Sequence, residues 1–168
     1  MKQLLTQYSA YNLWTNKMII AKISELPDEL LRKNMEDSFG GIFGTCVHLM
    51  NVEDLWWERL QLAEHIEWPA KNFTGNFDDL KNRWVEFSNR WHQWVDTANE
   101  RQVTHVFEYQ NSKKEIFKQP VFEVLLHLFN HQTFHRGQII TMMRQNAIAP
   151  IPPTDFIVFS RIRKNKNH

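Results

Sequence analysis

The feature of the sequence that most constrains the fold is the segment 127–138, which reads His-Leu-Phe-Asn-His-Gln-Thr-Phe-His-Arg-Gly-Gln. Its histidines recur every four residues inside an otherwise apolar helical pattern. At about 100° per residue, His131 and His135 lie about 40° apart on a helix, so their rings can reach a common point. Buried imidazoles need partners, because each ring carries a donor and an acceptor. The segment therefore predicts a helix whose histidines bind a metal ion or form a hydrogen-bonded core cluster.

The rest of the chain predicts a mostly helical protein with one β-hairpin. Apolar residues recur at helical spacing in four segments, whereas residues near 103–118 alternate between apolar and polar before a polar turn. Asn76 and Asp79 have the spacing of a helix-capping pair. Prolines at 150, 152 and 153 predict an extended tail. The predicted elements are helices at 2–25, at 42–64, at 77–98 and from near 120 to about 146, with the hairpin before the last helix.

Composition and charge restrict the possible functions. The 168 residues fit a single domain, 1–168, that is large enough to bury a core. The formal net charge of +1 gives no electrostatic case for binding nucleic acid. No apolar run approaches the roughly 20 residues of a membrane-spanning helix, and the N-terminus has no signal-peptide pattern. With Cys46 as its one cysteine, the chain is predicted to be a soluble, cytoplasmic protein that binds neither nucleic acid nor membrane.

A histidine on the second predicted helix can complete a metal site. His48 lies on the predicted inward stripe, whereas Glu53 projects well away from it. A site of His48, His131 and His135 has only neutral ligands, which leaves the full 2+ charge on the ion and strongly lowers the pKa of a bound water or thiol. Nitrogen ligands suit zinc, nickel, iron or copper, so the metal is not identified. The inward stripe of this helix is predicted to contain Thr45, His48, Val52, Leu55, Trp56 and Arg59.

Three further polar residues project toward the predicted site. His127 and Gln138 lie within about 40° of His131 on the fourth helix, and Asn12 lies on the inward stripe of the first. His127 is interpreted as a neighbour of the ligands or a packing residue. Asn12 either orients a ligand or substrate or bonds to the backbone, and Gln138 either lines the site or makes a structural hydrogen bond. Arg136 points about 140° away and is expected to pair with a carboxylate or a carbonyl.

Four stretches of the sequence together resemble a known family. They are Tyr-Asn-Leu-Trp-Thr-Asn at 11–16, His48 followed by Glu-Asp-Leu-Trp-Trp at 53–57, Asn-His-Gln-Thr-Phe-His-Arg-Gly-Gln at 130–138, and Pro-Pro-Thr-Asp-Phe-Ile at 152–157. In these stretches, which are spread over nearly the whole chain, the sequence is similar to the DinB-like (damage-inducible) proteins, also described as DinB/YfiT-like metalloenzymes.

This resemblance implies an all-α, up-down-down-up four-helix bundle that forms a homodimer and binds a divalent metal through three histidines. Those positions correspond here to His48, His131 and His135. Some relatives are similar to thiol-dependent transferases or isomerases that use bacillithiol or mycothiol, whereas many have no assigned reaction. The resemblance therefore implies a metal site, a small-molecule substrate and a link to stress response, and it leaves the reaction open.

The sequence excludes two other kinds of metal-binding helical protein. A di-iron carboxylate bundle needs Glu-x-x-His pairs, and no glutamate in this chain is followed three residues later by histidine. A zinc protease of the His-Glu-x-x-His type uses the glutamate as its base, whereas Gln132 follows His131 here. Any catalysis must therefore use a metal-activated nucleophile or a base from outside the three histidines.

Two hypotheses of function follow from these observations. The first is a metal-dependent enzyme of the thiol S-transferase or hydrolase type, with an open coordination position on the ion. The second is a non-catalytic protein whose metal site is structural or sequestering. Three neutral ligands without a fourth nearby favour the enzyme, whereas a fourth donor such as His127 would favour the structural role.

Overall fold

The computed structural model describes residues 1–36, 38–61 and 73–165, and these residues are mostly helical. Two strands in this part of the chain form an antiparallel hairpin. The all-α expectation with one hairpin is therefore confirmed at this level. The elements are α1 (Lys2–Ile23), α2 (Asp28–Leu31), α3 (Ile42–Leu60), α4 (Phe77–Thr97), α5 (Glu100–Thr104), β1 (Val106–Gln110), β2 (Ile116–Pro120), α6 (Val121–Gln145) and α7 (Phe156–Asn165).

Two of the long helices begin at residues suited to a helix start. The Asn76 side chain accepts a hydrogen bond from the Asp79 amide at 2.9 Å, and Asp79 Oδ2 accepts one from the Asn76 amide at 3.2 Å. This is the predicted capping box, and it satisfies two amides that α4 leaves free. α3 starts after Gly41, whose φ of 114° favours glycine. A Cβ there would lie 2.2 Å from the Lys33 carbonyl oxygen, so the close approach also requires glycine.

The four long helices enclose a core that contains two hydrophobic clusters. α1 and α3 each pack against both α4 and α6. Trp84 and Trp91 of α4 are buried in different clusters. Burying a large apolar side chain contributes about 1.5–3 kcal/mol, so both clusters hold α4 against its neighbours. Ser88 lies between these tryptophans in the sequence and is also buried, which places a polar group between the two apolar clusters.

The hairpin lies slightly later in the chain than predicted. β1 and β2 pair from Val106 opposite Pro120 to Gln110 opposite Ile116. Residues 103 and 104 belong instead to α5, a short helix that begins after its own capping box. Pro120 ends β2 and directly precedes α6, where its missing amide hydrogen has no cost because the first amides of a helix have no intrahelical acceptor.

The prediction of an extended tail is wrong beyond residue 155. The chain has no regular structure at 148–155, but it then forms the ten-residue helix α7. The rings of Phe156 and Phe159 lie 5.2 and 5.8 Å from the Tyr11 ring, centroid to centroid. Tyr11 also donates a hydrogen bond to the Thr154 carbonyl at 2.6 Å. A helix of this length is marginal by itself, so packing against α1 stabilises it.

The inward stripe predicted for the second helix is also partly wrong. Leu49 and Glu53 of α3 are fully buried, whereas Val52 and Leu55 are only half-buried. The core therefore lies on the side of α3 that carries Glu53. The helix ends at Leu60, and positions 62–64 of the prediction lie outside the described residues. No helix within the described ranges is long and apolar enough to cross a membrane.

Candidate metal centre

Three histidine side chains converge between α3 and α6. His131 Nε2 lies 3.2 Å from His48 Nε2 and 3.1 Å from His135 Nε2, and the potential ligand atoms all lie within 4.8 Å of one another. Tetrahedral coordination with metal–nitrogen bonds of about 2.0–2.1 Å separates two ligand nitrogens by about 3.3 Å. The three nitrogens are therefore spaced so that they could hold a metal ion.

The proton on His135 is held away from the point where the nitrogens converge. Its Nδ1 lies 2.6 Å from Gln138 Oε1. Because an amide oxygen only accepts hydrogen bonds, Nδ1 donates the proton of this bond, and Nε2 is the ring nitrogen that faces the other histidines. A partner of this kind on the second ring nitrogen is the usual way in which a protein orients a metal-binding histidine. Gln138 therefore makes a hydrogen bond that prepares His135 for coordination.

His48 and His131 are held in the neutral form near pH 7. Burial and, to a smaller extent, the neighbouring His135 lower the pKa of His48 to about 4. The pKa of His131 falls to about 3, mainly through burial and then through the adjacent histidines. His131 Nδ1 is buried and has no hydrogen-bond partner among the described residues. A neutral ring with its Nε2 among other imidazoles suits a metal ligand, because coordination requires an unprotonated nitrogen.

No fourth histidine, cysteine, aspartate or glutamate joins this group among the described residues. The candidate fourth donor, His127, is exposed, and its ring packs edge-on against Trp56 at a centroid distance of 5.5 Å. Its ring centroid lies 5.8 Å from that of His131. His127 therefore packs beside the site and is not part of the ligand group.

A buried polar network lies on the core side of the histidines. Glu53 accepts hydrogen bonds from Asn12 at 3.0 Å, from Ser88 at 2.7 Å and from Asn16 at 3.3 Å. The amide oxygens of Asn12 and Asn16 accept hydrogen bonds from Arg136 Nη1 at 2.6 and 2.7 Å. The five side chains come from α1, α3, α4 and α6, and none is more than 2% exposed. The network therefore links all four long helices through directional bonds.

This network continues directly into the helix segments that carry the histidines. Arg136 follows His135 in the chain, and Gln132 follows His131. Gln132 Nε2 donates to the carbonyl oxygen of Leu49, the residue after His48, at 2.9 Å. These bonds fix the rotation and the axial position of α6 against α3. The histidines converge because each is adjacent to a residue with a defined partner.

The two charges of the network are separated by amide groups. Each asparagine donates to Glu53 through its nitrogen and accepts from Arg136 through its oxygen. Burial raises the pKa of the Glu53 carboxyl to about 7, although its hydrogen bonds and the charge of Arg136 act in the opposite direction. Burial also lowers the pKa of Arg136. For Glu53, the cost of desolvation therefore exceeds the stabilisation by its partners.

The sequence interpretation found the three histidines but missed most of this network. Asn12 contacts two buried charged side chains, and neither a backbone group nor the candidate site. Arg136 donates to carbonyl oxygens, as expected, but these belong to side-chain amides. The helical projection directs Glu53 away from the predicted inward stripe, whereas the structure buries it fully. The sequence feature that could have revealed the network is the pair Asn12 and Asn16. Two buried amides four residues apart on one helix require polar partners on the neighbouring helices.

A helical protein with three convergent histidines and no fourth donor among its described residues belongs to the class of proteins that can hold a metal ion between helices. Within that class, the chain belongs to the DinB family, because the model of that family matches residues 1–166. Protein DinB of Bacillus subtilis (strain 168) is 27% identical over 166 residues, which cover 93% of each chain. The resemblance noted in the sequence is therefore confirmed.

Proposed function

We propose that this protein is a metal-dependent enzyme acting on small molecules, in which His48, His131 and His135 bind a divalent zinc, nickel or iron ion. The observation that carries the proposal is the convergence of three imidazole nitrogens without a fourth donor among the described residues. Structural zinc sites have four protein ligands, whereas catalytic sites keep one position for water or substrate. Three ligands therefore favour a reactive site.

The reaction type that fits this ligand set is transfer of a low-molecular-weight thiol to an electrophile, or hydrolysis of a small adduct. When bound, a metal ion with neutral ligands lowers the pKa of a thiol or water in its open position and so supplies a nucleophile at neutral pH. The protein contributes the orientation of the ligands. Gln138 keeps the proton of His135 on Nδ1, and the buried network holds α3 and α6 in position.

Other expectations from the family resemblance also belong to this proposal. We propose that the long helices follow the up-down-down-up order, that the protein forms a homodimer in the cytoplasm, and that its activity belongs to a stress response. Light scattering of the purified protein tests the dimer, since a monomer at micromolar concentration would exclude it.

Elemental analysis of protein purified without chelator or added metal tests the metal site. We expect about one metal equivalent per chain in the wild type and in His127→Ala, and loss of the metal in His131→Ala with the helical circular dichroism retained. His127→Ala is the matched control, because it removes a neighbouring imidazole outside the ligand group. Stoichiometric metal in His131→Ala, or a wild type that takes up no added zinc, nickel or iron, would exclude the site.

Turnover by the metal-loaded protein separates the enzyme from a sequestering protein. Loss of free thiol is followed in mixtures of a low-molecular-weight thiol with alkyl halides or epoxides, and ester hydrolysis is followed without thiol. We expect a metal-dependent rate that His131→Ala abolishes and His127→Ala retains. Tight stoichiometric metal without turnover in any mixture would favour the sequestering role.

A further inference from the structure

A cavity of about 690 Å³ lies beside the candidate metal centre and shares His48 with it. Its remaining walls come from one face of α3, from the segment just before α3 and from Phe73. A volume of this size is typical of small-molecule sites, which range over about 300–1,000 Å³. The cavity is therefore large enough for the substrate of a reaction at His48.

The walls of the cavity are mostly apolar. Phe39, Phe43, Val52, Leu55 and Phe73 line it and are only half-buried, so each leaves apolar surface exposed toward the cavity. A half-buried apolar group gains stability when a ligand covers it, by roughly 25 cal/mol per Å² removed from water. A cluster of such groups next to a reactive site is a typical feature of a substrate pocket.

The described lining contains no aspartate, glutamate, lysine or arginine. Two cations approach its aromatic walls, with Arg32 at 4.2 Å from the Phe43 ring and Arg83 at 5.9 Å from the Phe73 ring. Neither arginine lines the cavity, and Arg32 is paired with Asp28 at 2.9 Å. The described part of the lining therefore offers apolar and uncharged polar groups to a ligand.

Phe39 connects the apolar cavity with the histidines. Its ring stacks on His48 with 4.0 Å between centroids, and it meets His135 edge-on at 5.3 Å. A flat group that enters along Phe39 therefore reaches the imidazoles while its apolar body stays against α3.

We infer that this cavity binds the substrate of the proposed enzyme, and that the substrate has an aromatic or branched apolar body and its reactive group directed at His48. The direction of the reactive group toward His48 rests on the proposed function, whereas the apolar body of the substrate is inferred from the cavity alone.

Two hydroxamates test this inference on cobalt-loaded protein, with the cobalt absorption band as the readout. Acetohydroxamate and benzohydroxamate carry the same metal-binding group, but the second has a phenyl in place of a methyl. We expect benzohydroxamate to bind at least tenfold more tightly, a difference of about 1.4 kcal/mol. Equal affinities for the two probes would overturn the inference.

Variants locate the binding at the cavity. Leu55→Asp places a charge in the wall, and Val52→Trp fills the cavity without adding one. We expect both variants to reduce the ratio of the benzohydroxamate affinity to the acetohydroxamate affinity toward one. Leu126→Asp is the matched control on an exposed position of α6 and should retain the preference. A preference that survives both cavity variants would place the phenyl group elsewhere.

Failure of the proposed function gives a different result from failure of this inference. Cobalt uptake without a phenyl preference contradicts the cavity assignment and leaves the metal site intact. If no metal is taken up, the neutral dye N-phenyl-1-naphthylamine tests the cavity alone by its fluorescence. We then expect binding to the wild type and Leu126→Asp, and at least tenfold weaker binding to Val52→Trp; equal binding would overturn the cavity assignment.

Discussion

The buried carboxyl of Glu53 should make the free energy of unfolding depend on pH. The sign of this dependence shows whether desolvation or attraction to Arg136 dominates the pKa of Glu53. If desolvation dominates, the folded pKa is about 7, above the ordinary value of 4.5. The folded state then binds more protons than the unfolded state between these pH values. The contribution of Glu53 to stability is therefore greatest below pH 4.5 and is lost as pH rises from 4.5 through 7. If attraction to Arg136 dominated, the folded pKa would be low and stability would rise over the same interval.

The variant Glu53→Gln removes this titration and preserves the shape of the side chain. Its amide oxygen can still accept from Asn12 (3.0 Å in the wild type), and the Ser88 hydroxyl can accept from its new amide nitrogen. At about 1.4 kcal/mol per pH unit, the interval between 4.5 and 7 corresponds to about 3 kcal/mol in the wild type. Relative to the wild type, the variant should therefore gain about 2–3 kcal/mol between pH 5 and pH 8.

Urea unfolding followed by tryptophan fluorescence measures this difference at each pH. Histidine titration affects the wild type and the variant equally, so it cancels when one free energy of unfolding is subtracted from the other. Glu86→Gln is the matched control on an exposed position of α4 and should show no such slope. A variant that becomes progressively less stable than the wild type with rising pH would refute the reasoning, because it would mean that the charge of Arg136 outweighs desolvation.

Three further outcomes are expected. Arg136→Met lowers the free energy of unfolding by about 3–5 kcal/mol in urea titrations, because two buried amide oxygens and a buried carboxylate lose their cationic partner; a loss as small as that of Arg101→Met, at an exposed position, would contradict this. Gln138→Ala weakens metal binding about 10–100-fold in chelator competition, because His135 loses the acceptor that orients it, and an unchanged affinity would remove Gln138 from this role. Asn76→Ala lowers the free energy of unfolding by about 1 kcal/mol through loss of the capping box, and an unchanged urea midpoint would show that the cap contributes nothing.

The sequence by itself determined the features that depend on local periodicity. The spacing of His131 and His135 requires that both project from one face of a helix, because 3.6 residues per turn is a property of the backbone. The capping box at Asn76 and the hairpin before α6 likewise follow from short-range preferences. These features were predictable because each involves residues close together in the chain.

Only the tertiary structure decided which polar groups are buried together. Glutamate is usually found at the protein surface. The burial of Glu53 is tolerated because Asn12, Asn16 and Ser88 approach it from two other helices. The helical state of 156–165 likewise depends on contact with Tyr11, about 145 residues earlier in the chain. The rotation of a helix about its own axis is set by the surfaces packed against it, so local periodicity identifies a face but not the neighbour that covers it.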